Sequence, residues 1–333
     1  MRKFGATYLA VLVLVGLLGY NFYAARHAKP PVDKSAATPL LSLDQQAIRG
    51  INVRSADGVS SFVKNAAGAW QLTFIPSAAG RPALRLPVDG YRTDGMALAL
   101  AKLSYRRKVD ERPAGLAPYG LDRPRAAVEV WLAGQAAKKV VLIGGSTPVS
   151  GSAYVRVEGD PAVYITDESQ LTDFLARPVD QMKRNLIDFS PYDAVKITSE
   201  RGGRKVEITK EGNQWRLGDR QLKADQVDEL LQTLQSLRAA DLPQQAAGAA
   251  TAASGGTSAG LGQQVWRIAV SVKDQSNDQS SGQAAPPSVL ELAVGTAGGD
   301  KVWVQPRGSD LLYPVAAADV RQVEQKLSAL AGP

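Results

Sequence analysis

The sequence contains no cysteine and one histidine, His27. The missing cysteine excludes disulfide scaffolds, Cys-ligated zinc, iron–sulfur clusters, thiol nucleophiles and Cys-linked lipid anchors. A single histidine excludes multi-His metal centres and argues against a Ser-His-Asp triad. No G-x-x-x-x-G-K-[ST] run is present, so there is no phosphate-cradling loop with its lysine. Aromatic residues are scarce, at 6%, and do not interleave with the basic clusters, which argues against nucleic-acid binding. What remains is ordinary globular material. The chain has 333 residues, 44% of them hydrophobic and 21% charged, with a net charge of +7. That length suggests two domains with enough apolar side chains for a sizeable core.

The strongest local signal is Phe4–Ala25, which contains no Asp, Glu, Lys or Arg. As a helix it would be about 33 Å long, enough for a hydrocarbon core of about 30 Å. Tyr8, Tyr20 and Tyr23 fall near its ends, and Arg2, Lys3, Arg26, His27 and Lys29 flank it. A cleaved signal peptide is the competing reading, but Tyr23 and Arg26 intrude on the small-x-small rule around Ala24, Ala25 and Ala28. The expectation is therefore an uncleaved single-pass anchor over residues 1–25. A linker at 26–42 and an exported body would follow it. His27 then reads as a flanking cation.

From residue 43 the sequence repeats itself. Ile48, Ile51 and Val53 open the first half; a strand at Val59–Lys64 and Trp70-Gln-Leu72 follow. Ala194-Val-Lys-Ile197, Val206-Glu-Ile208 and Trp215-Arg-Leu217 open the second. Each meander leads to a helix, expected over Thr93–Leu103, with Thr93 or Asp94 as cap, and over Ala224–Leu237. Then Gly120-Leu121 matches Gly260-Leu261, Gly144 matches Gly295, and Tyr154 and Tyr164 match Trp303 and Tyr313. Helices at Glu168–Leu175 and Ala318–Leu330 close the halves. The expected fold class is α+β: a transmembrane helix, then two duplicated, mainly antiparallel units of order β-β-β-α-β-β-β-β-α, at 43–183 and 184–333. Two separate beads and a pseudo-two-fold pair both fit this pattern. The first half carries an extra segment, Phe74–Val88. The second carries low-complexity inserts at 244–260 and 273–287, expected to be exposed and dispensable.

Few residues offer chemistry. Gly144-Gly145-Ser146 reads as a plain turn. Asp110, Glu111, Asp167, Glu168, Asp188 and Asp193 read as turn or cap positions, with Asp167 a natural N-cap. Nothing in the sequence pairs two of them as a glycosidase would. Ser61-Phe-Val-Lys64 would place its Ser and Lys on opposite strand faces. Arg106-Arg107-Lys108, expected at a helix end, and Arg201-Gly-Gly-Arg204-Lys205, expected at a turn, read as solvated faces; anionic lipid or an acidic partner is the functional alternative. No catalytic, cofactor or metal-binding residue is assigned.

Tyr119-Gly-Leu-Asp-x-Pro124, Val-x-Leu-Ile-Gly144 and Gly151-x-x-Tyr154-Val-Arg156, behind an N-terminal span and a Trp-x-Leu meander, resemble domain-of-unknown-function family 4340. The resemblance is best over roughly 45–240. It implies a protein anchored in a bacterial inner membrane, with its body in the periplasm, accompanying ABC-type transport systems related to gliding-motility auxiliaries. It carries over no catalytic residue. Trp70, Tyr119, Gly120, Leu121, Pro124, Gly144, Tyr154, Arg156 and Trp215 are the pattern residues. Gly120 and Pro124 read as turn-setting, Leu121 as a core plug, and Tyr154 with Arg156 as neighbours on one strand face. The expected function is a non-enzymatic accessory protein with protein partners. The alternatives are a ligand- or glycan-binding module using the cleft between the halves, and a carboxylate-dependent hydrolase.

Overall fold

The computed structural model describes residues 38–135, 137–148, 151–246, 261–262, 265–273 and 287–332. Phe4–Ala25, most of the 26–42 linker and most of both inserts lie outside the described residues. Among the described residues, no helix is long and apolar enough to cross a membrane.

The first unit is introduced by β1 (Thr38–Pro39). It continues with β2 (Ile48–Ser55), β3 (Gly58–Lys64), β4 (Trp70–Pro76), β5 (Leu84–Leu86) and α1 (Gly90–Ala101). Then come β6 (Ser104–Tyr105), β7 (Arg107–Asp110), β8 (Ala126–Leu132), β9 (Lys139–Ser146), β10 (Ser152–Val157) and β11 (Val163–Asp167). Short helical turns α2 (Thr172–Leu175) and α3 (Pro178–Gln181) lead out of it. The second unit holds β12 (Ala194–Arg201), β13 (Arg204–Glu211), β14 (Gln214–Leu217), β15 (Arg220–Leu222) and α4 (Ala224–Gln235). It ends with β16 (Gln244–Gln245), β17 (Trp266–Val272), β18 (Ser288–Gly298), β19 (Lys301–Pro306), β20 (Leu311–Ala316) and α5 (Ala317–Ala331).

Each unit is one nine-stranded sheet, and the two orders are the same. The first runs β5-β4-β3-β2-β8-β9-β10-β11-β7 and the second β15-β14-β13-β12-β17-β18-β19-β20-β16. The strand pairs are antiparallel. Even the irregularities recur. Ile48 and Ile51 are both buried although three apart, which a period of two forbids, and a register shift between Ile48 and Gly50 restores the phase. Ala194 and Ile197 repeat the spacing, with the shift between Ala194 and Lys196. A second shift follows Val155↔Ile143 in one sheet and Val304↔Val294 in the other.

The buried side chains of both sheets, of α1, α4 and α5, and of the connecting segment form one continuous apolar cluster. Val179, Met182, Leu186, Ile187 and Phe189 carry it from one unit to the next. The two-bead reading is thereby set aside.

Several local expectations need correction. Each sheet has a fourth short strand before its helix, β5 and β15, and a fifth after it, β7 and β16. Helix α1 begins at Gly90, capped by Asp89, whose carboxylate accepts from the Tyr91 and Arg92 amides. Thr93 lies inside the helix, and its hydroxyl donates to the Asp89 carbonyl. The Glu168–Leu175 helix is a 3-10 turn followed by the single turn α2. Asp167 stands before it without a side-chain cap bond and pairs instead with Arg106 at 2.5 Å. Gly144-Gly145-Ser146 is not a turn but the end of β9. Arg107 and Lys108 belong to an edge strand, not a helix end.

Candidate functional site

Trp70 and Trp215 occupy matching places. Both are buried, and a lysine of the neighbouring strand lies over each ring: Lys64 at 4.7 Å and Lys210 at 5.5 Å. The Trp70 indole also donates to Asp94 on α1 at 2.8 Å, the bond that gives Asp94 its place.

Tyr119 to Pro124 crosses the reverse side of the sheet. Gly120 takes a left-handed φ of 63°, and Leu121 is buried, but away from the main cluster rather than in it. Leu261 does the same in the second unit, packed with Leu312, Trp303 and Ala293. Gly144 and Gly295 are the strand positions that these loops press on. The Tyr119 ring meets Tyr154 edge-on at 5.2 Å, and its hydroxyl donates to Asp110, which raises its pKa.

Arg156 serves the β10–β11 turn. Its Nε donates to the Asp160 carbonyl at 2.9 Å, and the Asp160 carboxylate accepts from the Ala162 amide and the Tyr164 hydroxyl. In the second unit Gln305 donates to the Ser309 carbonyl in the same way, beside Tyr313. Burial, then the bond to Asp160, pushes Tyr164 up to about 12, while the Tyr164 hydroxyl holds Asp160 below the usual carboxylate range. The raised phenol contributes stability that is complete below pH 10 and is lost as pH rises through about 12. The depressed carboxyl contributes stability that is lost as pH falls below 3.8. Y164F is therefore expected to flatten both limbs of the urea midpoint against pH. A variant with the wild-type alkaline limb would show that the phenol does not titrate there.

None of the pattern residues lines the largest described cleft. That cleft, of about 710 Å³, lies between the units. One wall is Phe74, Pro76, Ser77, Arg81 and Leu84 of the β4–β5 hairpin; Pro178 and Val179 form its floor. The facing wall is Asp241–Gln245 and Trp303. These walls lie at two of the places where the halves differ. β4 has seven residues against four in β14, and its pairing with β5 is carried further along. The opposite wall runs into the 244–260 insert. β5 and β16 are also edge strands.

Two of the charged groups lining the cleft are paired. Arg177 pairs with Asp180 at 2.9 Å, which raises its pKa, with smaller contributions from Asp241 and Asp57. Lys301 approaches Asp241 at 3.4 Å. Asp57 and Asp241 are exposed, so neither is a buried acid. Among the described residues no group of three or more His, Asp or Glu side chains is placed to hold a metal ion.

The family model described as Domain of unknown function (DUF4340) matches residues 81–255, and the chain belongs to that family. No curated protein and no solved structure matches it. The matched stretch runs from the β4–β5 hairpin through α4 into the facing wall, so it includes residues of both sides of the cleft. Arg81, Arg177 and Asp241 belong to no sequence pattern. Arg81 lies in the Phe74–Val88 segment that the second half lacks and Asp241 stands just before the 244–260 insert, whereas nothing in the sequence marks Arg177.

Proposed function

We propose that this is a non-enzymatic accessory protein, held by Phe4–Ala25 at the outer face of a bacterial inner membrane. Its inter-unit cleft takes an extended segment of a protein partner within an ABC-type transport assembly. The observation that supports this reading is the cleft itself, which is built where the duplication is broken and bordered by two edge strands. An edge strand offers unpaired backbone groups to an extended peptide, and neighbouring pockets select alternate side chains. Pro76, Pro82, Pro178 and Pro243, with Phe74 and Trp303, give apolar walls for such a segment.

A ligand- or glycan-binding role is the second reading. A volume of about 710 Å³ falls in the range of small-molecule pockets, and Trp303 offers a ring for stacking.

The test is purification of the full chain from detergent-solubilised membranes, beside a variant with S77W and R81E, both at exposed positions on the cleft wall. The expected result is recovery of transport-ATPase subunits by the wild type and their loss with the variant at unchanged melting temperature. Equal recovery by both would move the contact off the cleft, and recovery of no transport component would overturn the reading. A reporter fused after Pro333 that works only outside the cytoplasm is expected to be active; activity of a cytoplasm-only reporter there would reverse the topology.

A further inference from the structure

We infer that the free β7 edge of the first sheet is a docking surface for anionic phospholipid headgroups, holding the body against the membrane that its anchor enters. The inference rests on the anchor reading of Phe4–Ala25 for its geometry and on β7 for its chemistry.

The chain enters the described body at Thr38. There it pairs at once with the segment preceding β7: Thr38 with Tyr105 and Pro39 with Ser104, and the Leu40 amide donates to the Leu103 carbonyl. The next residues of the partner strand are Arg106, Arg107 and Lys108. Residues 26–37 separate the expected span from this point. Twelve residues reach at most about 40 Å fully extended. The point of tethering and the basic cluster are therefore the same place on the body, within reach of the bilayer surface.

The segment itself is net positive, with Asp160 and Asp167 beside it from the adjoining turn and strand. Residues 102–112 hold Lys102, Arg106, Arg107, Lys108 and Arg112 against Asp110 and Glu111. All five cations are exposed. Arg106 is shared with Asp167 and Lys108 with Glu111 at 3.7 Å, while Asp110 is occupied by the Tyr119 hydroxyl and the Arg112 amide. β7 is the last strand of its sheet, so no further strand covers it among the described residues. Its register shift leaves Val109 out of the pairing and exposed in the middle of the cations. Basic side chains beside an anionic leaflet each strengthen association roughly fivefold, within a screening length of about 8–10 Å. The equivalent edge of the second sheet, β16, carries Gln244 and Gln245 and faces the cleft.

The arrangement also orients the cleft. β5 and β7 are opposite edges of one nine-stranded sheet, eight strand spacings or about 38 Å apart. With β7 on the bilayer, the β5 wall of the cleft belongs to the far edge of the sheet.

Full-length protein reconstituted in vesicles gives the test. The chain has no cysteine, so Ala114→Cys, at an exposed position near β7, gives one site for a donor dye. The acceptor is a headgroup-labelled lipid. Energy transfer is expected to be roughly doubled on phosphatidylcholine containing about 30% phosphatidylglycerol, relative to phosphatidylcholine alone, and to fall back in about 0.5 M salt. R107Q/K108Q/R112Q is expected to abolish the difference, whereas R204Q/K205Q/K223Q, which removes the same charge elsewhere, is expected to keep it. Transfer indifferent to lipid charge, or lost equally in both triple variants, overturns the inference and leaves an acidic protein as the partner of this edge. Flotation of the wild type with phosphatidylcholine vesicles after an alkaline wash tests the anchor separately. If it does not float, the anchor reading fails, and the edge is then judged by salt-sensitive flotation with the anionic vesicles.

Discussion

Gly144→Ala is expected to cost about 3 kcal/mol, at the upper end for forcing atoms into a packed site. A Cβ built at Gly144 would lie 2.3 Å from the Tyr119 carbonyl oxygen and 3.0 Å from Leu121 Cγ. The first of these is backbone, which cannot rotate aside as a side chain would. The loop is also held from several directions. Gly120 already lies so close that its own Cβ would fall 2.9 Å from the Gly145 nitrogen. The Tyr119 hydroxyl is bonded to Asp110, and Arg125 donates to the Gly144 carbonyl at 2.7 Å. Gly295→Ala repeats the experiment in the second unit, where the nearest contact is 2.7 Å to the Leu261 carbonyl oxygen; a smaller loss of the same sign is expected. Gly95→Ala is the control. That glycine lies inside α1 with nothing within 4 Å of its built Cβ, so alanine there is expected to add about 0.8–1.0 kcal/mol through helix propensity. Denaturant midpoints of the three variants give the answer. A Gly144→Ala midpoint equal to wild type would mean that the loop does not press on β9 in solution.

The same glycine shows what the sequence conveyed and what it did not. Gly144 and Gly295 were legible as equivalents because each follows an apolar run and precedes an aromatic pair spaced by ten residues. Their role was not legible, since Gly-Gly-Ser reads locally as a break, whereas here glycine lets the strand continue beneath a crossing loop. The sheets were legible for the opposite reason: alternation at Ile51, Val53 and Phe62 follows strand periodicity and needs no distant partner. α1 was displaced by three residues because Gly90, a poor helix former, hides its start, while Thr93 and Asp94 imitate a cap. β5 has three residues within a Pro- and Arg-rich stretch and exists through its pairing with β4. The cleft sets Arg81 and Asp241 on facing walls, far apart in the chain and without shared spacing, so no local pattern encodes it.

Trp215→Ala is expected to cost about 4 kcal/mol and to destabilise both units together. Trp215 is 2% exposed and is the largest of the fully buried side chains, so alanine leaves a cavity that the surrounding sheet cannot collapse to fill. For a chain of this size, unfolding unit by unit would be the ordinary expectation. Here the apolar cluster that receives Trp215 runs through Phe189, Ile187, Leu186, Met182 and Val179 into the core of the first unit. The connecting segment is also tied by backbone bonds: the Leu186 amide donates to the Leu237 carbonyl and the Lys183 amide to the Pro87 carbonyl. Unfolding the second unit would expose the buried faces of Met182 and Val179, which belong to the packing of the first. Amide exchange is the measurement that separates the alternatives. Amides paired between β2 and β8 and those paired between β12 and β17 are expected to lose protection by the same amount in the variant. Protection retained at Ile51 and Val53 while Ile197 opens would establish two independent folding units. The coupling matters to the cleft, because its walls come from different units. A common core under Pro178 and Val179 fixes Arg81 and Phe74 on one side relative to Asp241 and Trp303 on the other, so a partner meets a surface already shaped before it binds.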